Sequence, residues 1–382
     1  MSDDKKMPPP LNLSPENGEA EGFVLPVPCP PPSQRVNPRP DVVGQQLLGN
    51  GAVGNADDFV NQVNRLPDSQ AELHFHELKR RSNEATESDA PKGCVGAGET
   101  DQTIDGTTPG ETRNFFFTRS EYIQMCWIPP GEFMMGSPVG APRRVADEDP
   151  HLVKLSNGFW MSKCPVTQGQ WFALMGTRPS TFGQQGKMRS LLTGGAGDQW
   201  VALPVESVSW MNICGDNQRS GGFLGKANFS APTGWRFDLP SEGEWEYACR
   251  AGTATDFNNG GGLSRFAIWS SNLSKLGWCC DNSYDKTHPV ARKIPNSWGL
   301  QDMHGNVWEW CSDYYAEYPK VRAIDPSGPL IGVGRVNRGG SWASNPKQCR
   351  SAFRSWDKQE HGSRRLGFRL VLRAELLKGK SP

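Results

Sequence analysis

All 14 tryptophans and all 6 tyrosines of this 382-residue chain lie after residue 120. Before Asn114 the only aromatic residues are Phe23, Phe59 and Phe75. A folded core needs large apolar side chains to offset the entropy of ordering the backbone, and residues 1–113 have few to offer. The sequence therefore predicts a largely disordered N-terminal region over 1–113, one globular domain over 114–375 and a short tail over 376–382. About 255 residues suffice for a sizeable core. Eleven prolines in the first 40 residues, with Pro8-Pro9-Pro10 and Pro30-Pro31-Pro32, favour extended polyproline conformations there. Within 68–86, Ser69 and Glu72 form a capping box for a lone helix with a weak apolar face. His74 and His76 are two apart and point to different sides of that helix, which argues against a shared metal.

Charge and hydropathy exclude several classes. The chain carries 41 basic and 41 acidic residues, so nothing draws it to nucleic acid or to an anionic membrane. No apolar run is long enough for a transmembrane helix, and the first residues lack the apolar core of a signal peptide. The expected compartment is the cytoplasm, where most of the 10 cysteines would be free, buried thiols. No Cys/His spacing points to zinc.

Local patterns predict short elements. Tyr122–Ile128, Phe133–Ser137, Val153–Leu155 and Phe159–Met161 alternate as strands. Thr167 with Gln170, and Ser241 with Glu244, form capping boxes that start helices; another begins at Ser209. Trp171, Phe172, Leu174 and Met175 form the core face of the first helix, which stops at Gly176. Trp245, Ala248 and Cys249 form that of the Ser241 helix. Beyond residue 251 turns dominate. With 43 glycines, 31 prolines and 14 tryptophans the expected fold is α+β: short helices, small twisted sheets and much ordered irregular chain packed round large rings.

Several motifs occur in order: Pro130–Ser137, Glu148–His151, Pro165–Gln168, Leu203–Trp210, Leu239–Tyr247, Gly299–Trp310, Arg338–Trp342 and Gly367–Arg369. Together they resemble the formylglycine-generating enzyme (sulfatase-modifying factor) family, whose fold is related to C-type lectins. The resemblance implies a structural calcium on Asp302, Gly305, Val307 and Glu309. Two carboxylates and two backbone carbonyls make the hard oxygen set that calcium favours. The family oxidises a substrate cysteine with copper held by two cysteines. Ser344 stands at the first cysteine's place. Cys349 falls at the second's place, or is a structural thiol in a shorter loop. A serine hydroxyl is a poor copper(I) ligand, so copper is not expected and Cys349 is a weak catalytic candidate. Relatives that use histidine-bound iron carry a histidine-rich domain, and the 6 histidines here are not clustered.

What remains is recognition. Residues 342–366, between GGSW and GFR, form the ligand-facing surface in a lectin-like fold. The expected binding residues are Trp342, Ala343, Ser344, Asn345, Phe353, Ser355, Trp356, Asp357, His361, Arg364 and Arg365, a mix of aromatic and Arg side chains suited to holding a protein or other ligand. The segment also resembles the variable region of retroelement-diversified proteins: Ala343, Ser344, Asn345, Phe353, Ser355, Asp357, His361 and Gly362–Arg364 are reachable from an AAC codon. Lys347, Gln348, Trp356 and Lys358–Glu360 are not. Two functions stay open: a non-oxidising binding module, or a family enzyme acting through Cys349 or another site.

Overall fold

A computed structural model describes residues 104–183, 199–215, 221–263 and 270–375. The expected tail and the lone helix over 68–86 lie outside the described residues.

Three small sheets carry the fold. The first holds β1 (Thr112–Phe116), β2 (Tyr122–Ile128), β5 (Phe159–Ser162), β12 (Val371–Ala374) and β6 (Trp235–Asp238), in the order β1-β2-β5-β12-β6. The second has the order β10-β9-β7-β11, from β7 (Trp308–Tyr314), β9 (Arg335–Arg338), β10 (Arg354–Asp357) and β11 (Leu366–Gly367). The third pairs β3 (Gly131–Met135), β4 (His151–Leu155) and β8 (Ala323–Ile324). Pairing is antiparallel except for β11 with β7 and β8 with β4. The first sheet joins both ends of the domain, because β12 returns to lie beside β5. Ahead of β1, the Ile104 carbonyl accepts the Trp160 indole N–H at 2.8 Å, so the packed chain starts earlier than the aromatic pattern implied.

Three helices start where Thr167, Ser209 and Ser241 place them, and two more, over Phe223–Ala227 and Ser271–Leu276, were not expected. Thr167 and Gln170 cap α1 (Gln168–Met175), which ends on Gly176 in the left-handed region. Ser209 caps α2 (Trp210–Cys214), and α3 (Phe223–Ala227) follows. Ser241 and Glu244 cap α4 (Glu242–Arg250), and Ser270 caps α5 (Ser271–Leu276). The core face of α1 is narrower than expected: Trp171 and Gln168 are buried, whereas Leu174 and Met175 only lean on the core.

Large rings fill the centre. Trp171 stacks on Phe223 with centroids 5.4 Å apart, and Phe223 meets Phe368 edge-on at 5.2 Å. Trp245, Met303 and Val336 form a second cluster under the sheet that carries β7. The surprise is α4, buried on every side, acidic residues included. Its pattern implied one buried face because charges usually face water. Here guanidinium groups cover them. Arg354 donates to both oxygens of Glu242 at 2.6 and 2.7 Å. Arg338 and Arg250 pair with Glu246, which also accepts the Gly136 N–H at 2.9 Å. Burial alone would raise the Glu246 pKa; Arg250 and Arg338 outweigh it and hold the carboxyl below its usual range.

Removing one partner of such a pair strands the other without water, at roughly 3–5 kcal/mol. Glu246→Ala should therefore lower unfolding free energy by about that much, measured by denaturant titration. Because Glu246 serves two guanidinium groups, recovering most of it should take all three replacements, Glu246→Leu with Arg338→Met and Arg250→Met. Because the folded pKa of Glu246 is depressed, its stabilisation is present above the unfolded value and is lost as acid protonates it, so the cost of Glu246→Ala should shrink at low pH.

Candidate functional site

The candidate site begins where β9 ends. Gly339 and Gly340 turn the chain with φ of 94° and 75°. A Cβ on Gly340 would lie 2.5 Å from the Cys349 sulfur, so that approach requires glycine. A tight turn follows. The Ser344 hydroxyl accepts the Ser341 N–H at 3.0 Å and lies 3.2 Å from the Ser341 hydroxyl. The Ser344 carbonyl accepts the Cys280 N–H at 3.0 Å. Ser344 is thus a buried staple within the turn and not a ligand-facing side chain, a correction to the expected surface.

Trp342 is also buried. Its indole donates to the Arg364 carbonyl at 3.0 Å and meets Phe182 edge-on at 5.4 Å. The Arg364 and Arg365 guanidinium groups lie 5.3 and 5.7 Å from its ring centre. Trp342 therefore supports the two arginines from beneath, and exposed Arg364 carries the surface. Close to Arg364, Glu206 accepts the Phe182 N–H at 2.8 Å and the Ser207 hydroxyl at 2.7 Å. Burial raises its pKa to about 7.

The rest of the segment divides into structural and exposed parts. Asn345 caps a short 3-10 helix, Pro346–Cys349, by accepting the Gln348 N–H. Ala343 beside it is half-buried. Arg350 then runs inward to Glu148, donating at 2.9 and 2.5 Å. Phe353 is half-buried with its ring 6.0 Å from Trp308. On β10, Ser355, Trp356 and Asp357 are half-buried, and Trp356 lies 6.2 Å from Tyr315. Exposed His361 sits 2.9 Å from Asp357. The structure brings Trp342, Arg364 and Arg365 together. Phe353, Trp356 and the Asp357–His361 pair each have separate neighbours.

Cys349 is fully buried among Phe257, Leu263, Leu273, Leu276 and Cys279. Burial pushes its thiol well above the usual range, with Cys279 and Asp281 adding to the effect. His304 donates its Nδ1–H to the Cys349 carbonyl at 2.8 Å, while its Nε2 accepts the Asn258 N–H at 3.2 Å. Burial lowers the His304 pKa to about 4. This neutral imidazole holds backbone and is no base for the thiol. Native Cys349 should resist a small alkylating reagent and react only on unfolding, as read by mass spectrometry.

The expected calcium set is only partly open. Asp302 is buried; its Oδ2 accepts the Ala291 N–H at 2.8 Å, and its Oδ1 has no hydrogen-bond partner among the described residues. That orphaned oxygen fits a hard cation. Glu309 differs: Arg369 donates to it at 2.6 and 2.9 Å, and the Trp245 indole at 2.6 Å. It would serve a metal only by sharing an oxygen already held. Gly305, whose φ is 112°, passes so close to the Trp278 carbonyl that no Cβ fits, and it keeps this loop in place.

Sequence reasoning missed Glu206 and also Asp313, a buried carboxylate near the end of β7. Asp313 lies four residues beyond Glu309, but a bulge in the β7–β9 pairing intervenes, so strand alternation did not reveal its surroundings.

Comparison with known proteins agrees with this geometry. Residues 113–374 match the family model described as sulfatase-modifying factor enzyme 1-like domain. The chain is 32% identical over 290 residues to a formylglycine-generating enzyme of Streptomyces coelicolor, spanning 66% of this chain and 90% of that one. The structure is similar to Treponema denticola variable protein 1, with 26% identity, a TM-score of 0.56 and coverage of 68% and 98% of the two chains. It is also similar to PvdO from Pseudomonas aeruginosa, at 24% identity and a TM-score of 0.55, covering 70% and 99%; that likeness shows the fold alone.

Proposed function

The chain belongs to the sulfatase-modifying factor enzyme 1-like family, and we propose that its fold here serves as a ligand-binding module without cysteine oxidation. One observation carries the reading: the hydroxyl at the first copper-cysteine position, Ser344, is committed to its own turn. Its would-be partner Cys349 is a buried thiol with no solvent exposure. A soft metal bound by two thiolates lacks one of them and a path to the other.

The binding surface would be Phe353, Trp356, His361, Arg364 and Arg365, taking a protein or peptide ligand. The likeness to a protein named variable protein 1 supports a recognition role for this region. The retroelement reading gains less. Codon-reachable Ser344 is buried, whereas Lys358 and Glu360, which are not reachable, are exposed. For calcium, Asp302 would supply one carboxylate oxygen, joined by the carbonyls of Gly305 and Val307 and by a shared oxygen of Glu309. The free thiols among the described residues fit a reducing compartment such as the cytoplasm. Among the described residues no helix is long and apolar enough to cross a membrane.

The second reading, a formylglycine-generating enzyme, is favoured by the similarity to the Streptomyces coelicolor relative and by the position of Cys349. A peptide bearing a sulfatase-type cysteine, incubated with protein, copper and oxygen, decides between them. Its mass should stay unchanged. Conversion to the aldehyde, lost in Cys349→Ala, would restore the enzyme. Calcium should raise the melting temperature of chelator-treated protein by mass action and have no effect on Asp302→Asn; a flat response in the unaltered protein removes the cation from Asp302.

A further inference from the structure

Building on the reading of residues 342–366 as a binding surface, we propose that Arg364 and Arg365, side by side over Trp342, anchor an oxyanion of a bound peptide, a carboxylate or a phosphate. Both guanidinium groups lie against one ring, 5.3 and 5.7 Å from its centre. A ring face attracts and orients a cation, but it carries no net charge to neutralise two. Neither side chain forms an ion pair or donates a hydrogen bond among the described residues. Arg365 is half-buried; burial first, and the Arg364 charge second, lower its pKa.

Other guanidinium groups taken from water in this fold have a carboxylate: Arg338 has Glu246, Arg350 has Glu148, Arg354 has Glu242 and Arg369 has Glu309. Arg365 has no such pair. The acids nearby are committed elsewhere. Both oxygens of Glu206 are taken, by the Phe182 N–H and the Ser207 hydroxyl, although its charge is felt at Arg364. Asp357 is held by His361 at 2.9 Å. An oxyanion from outside would complete the site, because each guanidinium presents a fork of N–H donors that carboxylate and phosphate oxygens accept.

The backbone behind both arginines is pinned. The Trp342 indole donates to the Arg364 carbonyl at 3.0 Å, and the Trp308 N–H donates to the Arg365 carbonyl at 2.7 Å. The Ser363 hydroxyl accepts the Arg365 N–H at 3.3 Å, and the Ser363 carbonyl accepts the Ser207 and Leu366 N–H groups, each at 2.9 Å. β11 begins at the next residue and pairs with β7. Such a held backbone reduces the entropy lost when the side chains close on a ligand. Phe353 and Trp356 on the same segment suit a peptide as the carrier of the anion. Nucleic acid has less to gain, since the chain carries 41 basic and 41 acidic residues and offers no broad positive field.

The experiment uses three end-blocked peptides that differ at one central residue, glutamate, phosphoserine or glutamine, and follows binding by protein NMR at the Trp342 indole N–H. The two acidic peptides should bind, and the glutamine peptide should bind about tenfold more weakly, the worth of one charge-assisted hydrogen bond. The tighter of the acidic peptides identifies the oxyanion as carboxylate or phosphate. Arg364→Gln with Arg365→Gln should abolish the preference for the acidic peptides, while Arg292→Gln, an exposed arginine outside the segment, should leave it unchanged. Should the double variant fail to fold, Arg364→Gln alone, at an exposed position, should narrow the preference. Equal binding of the glutamine peptide, an undiminished preference in a folded variant, no binding of any of the three, or tighter binding of an oligothymidylate overturns the proposal. The binding-module reading fails on a different result, aldehyde formation on the sulfatase-type peptide, so the two failures are distinguishable.

Discussion

Buried guanidinium–carboxylate pairs hold this fold in register. Arg338 pairs with Glu246, Arg350 with Glu148, Arg354 with Glu242 and Arg369 with Glu309. The strands are short, the sheets are small and many connections are irregular, so regular hydrogen bonding alone ties the parts together weakly. The pairs join distant segments: Arg350 and Glu148 are 202 residues apart, and Arg369 and Glu309 are 60 apart. Such pairs contribute little net stability compared with a well-packed apolar core. A mispaired arrangement, however, would leave a charge buried alone. On this account they select one arrangement of α4, β7, β9 and β10 over its competitors.

This constraint also explains how much could be read from the chain. Local signals were legible because their partners are close in sequence: Thr167 with Gln170, Ser241 with Glu244, and the alternation in Val153–Leu155, the latter part of β4. The ordered motifs identified the fold as well. The pairs were not legible. Arg338, Arg350 and Arg354 look like surface charges until α4 and the Glu148 turn are placed against them. For the same reason α4 looked amphipathic when it is buried throughout. At the site, Arg364 and His361 are exposed as expected. Trp342 and Ser344 are not, because the turn after Gly340 folds them inward. Asp313 and Glu206 carried no local signal, since their perturbed surroundings come from distant chain.

The region around Cys349 is therefore built as structure. Ser344 fastens a turn, Cys349 fills an apolar pocket, and His304 anchors backbone with a neutral ring. The arginines over Trp342 lie outside this packed region, and Arg364 is exposed.

The most direct measurement of this claim is a copper(I) competition titration against a chromophoric chelator. The account predicts that the protein draws no copper from the chelator and that Cys349→Ala behaves identically. Transfer of one equivalent of copper to the unaltered protein, lost in Cys349→Ala, would contradict it.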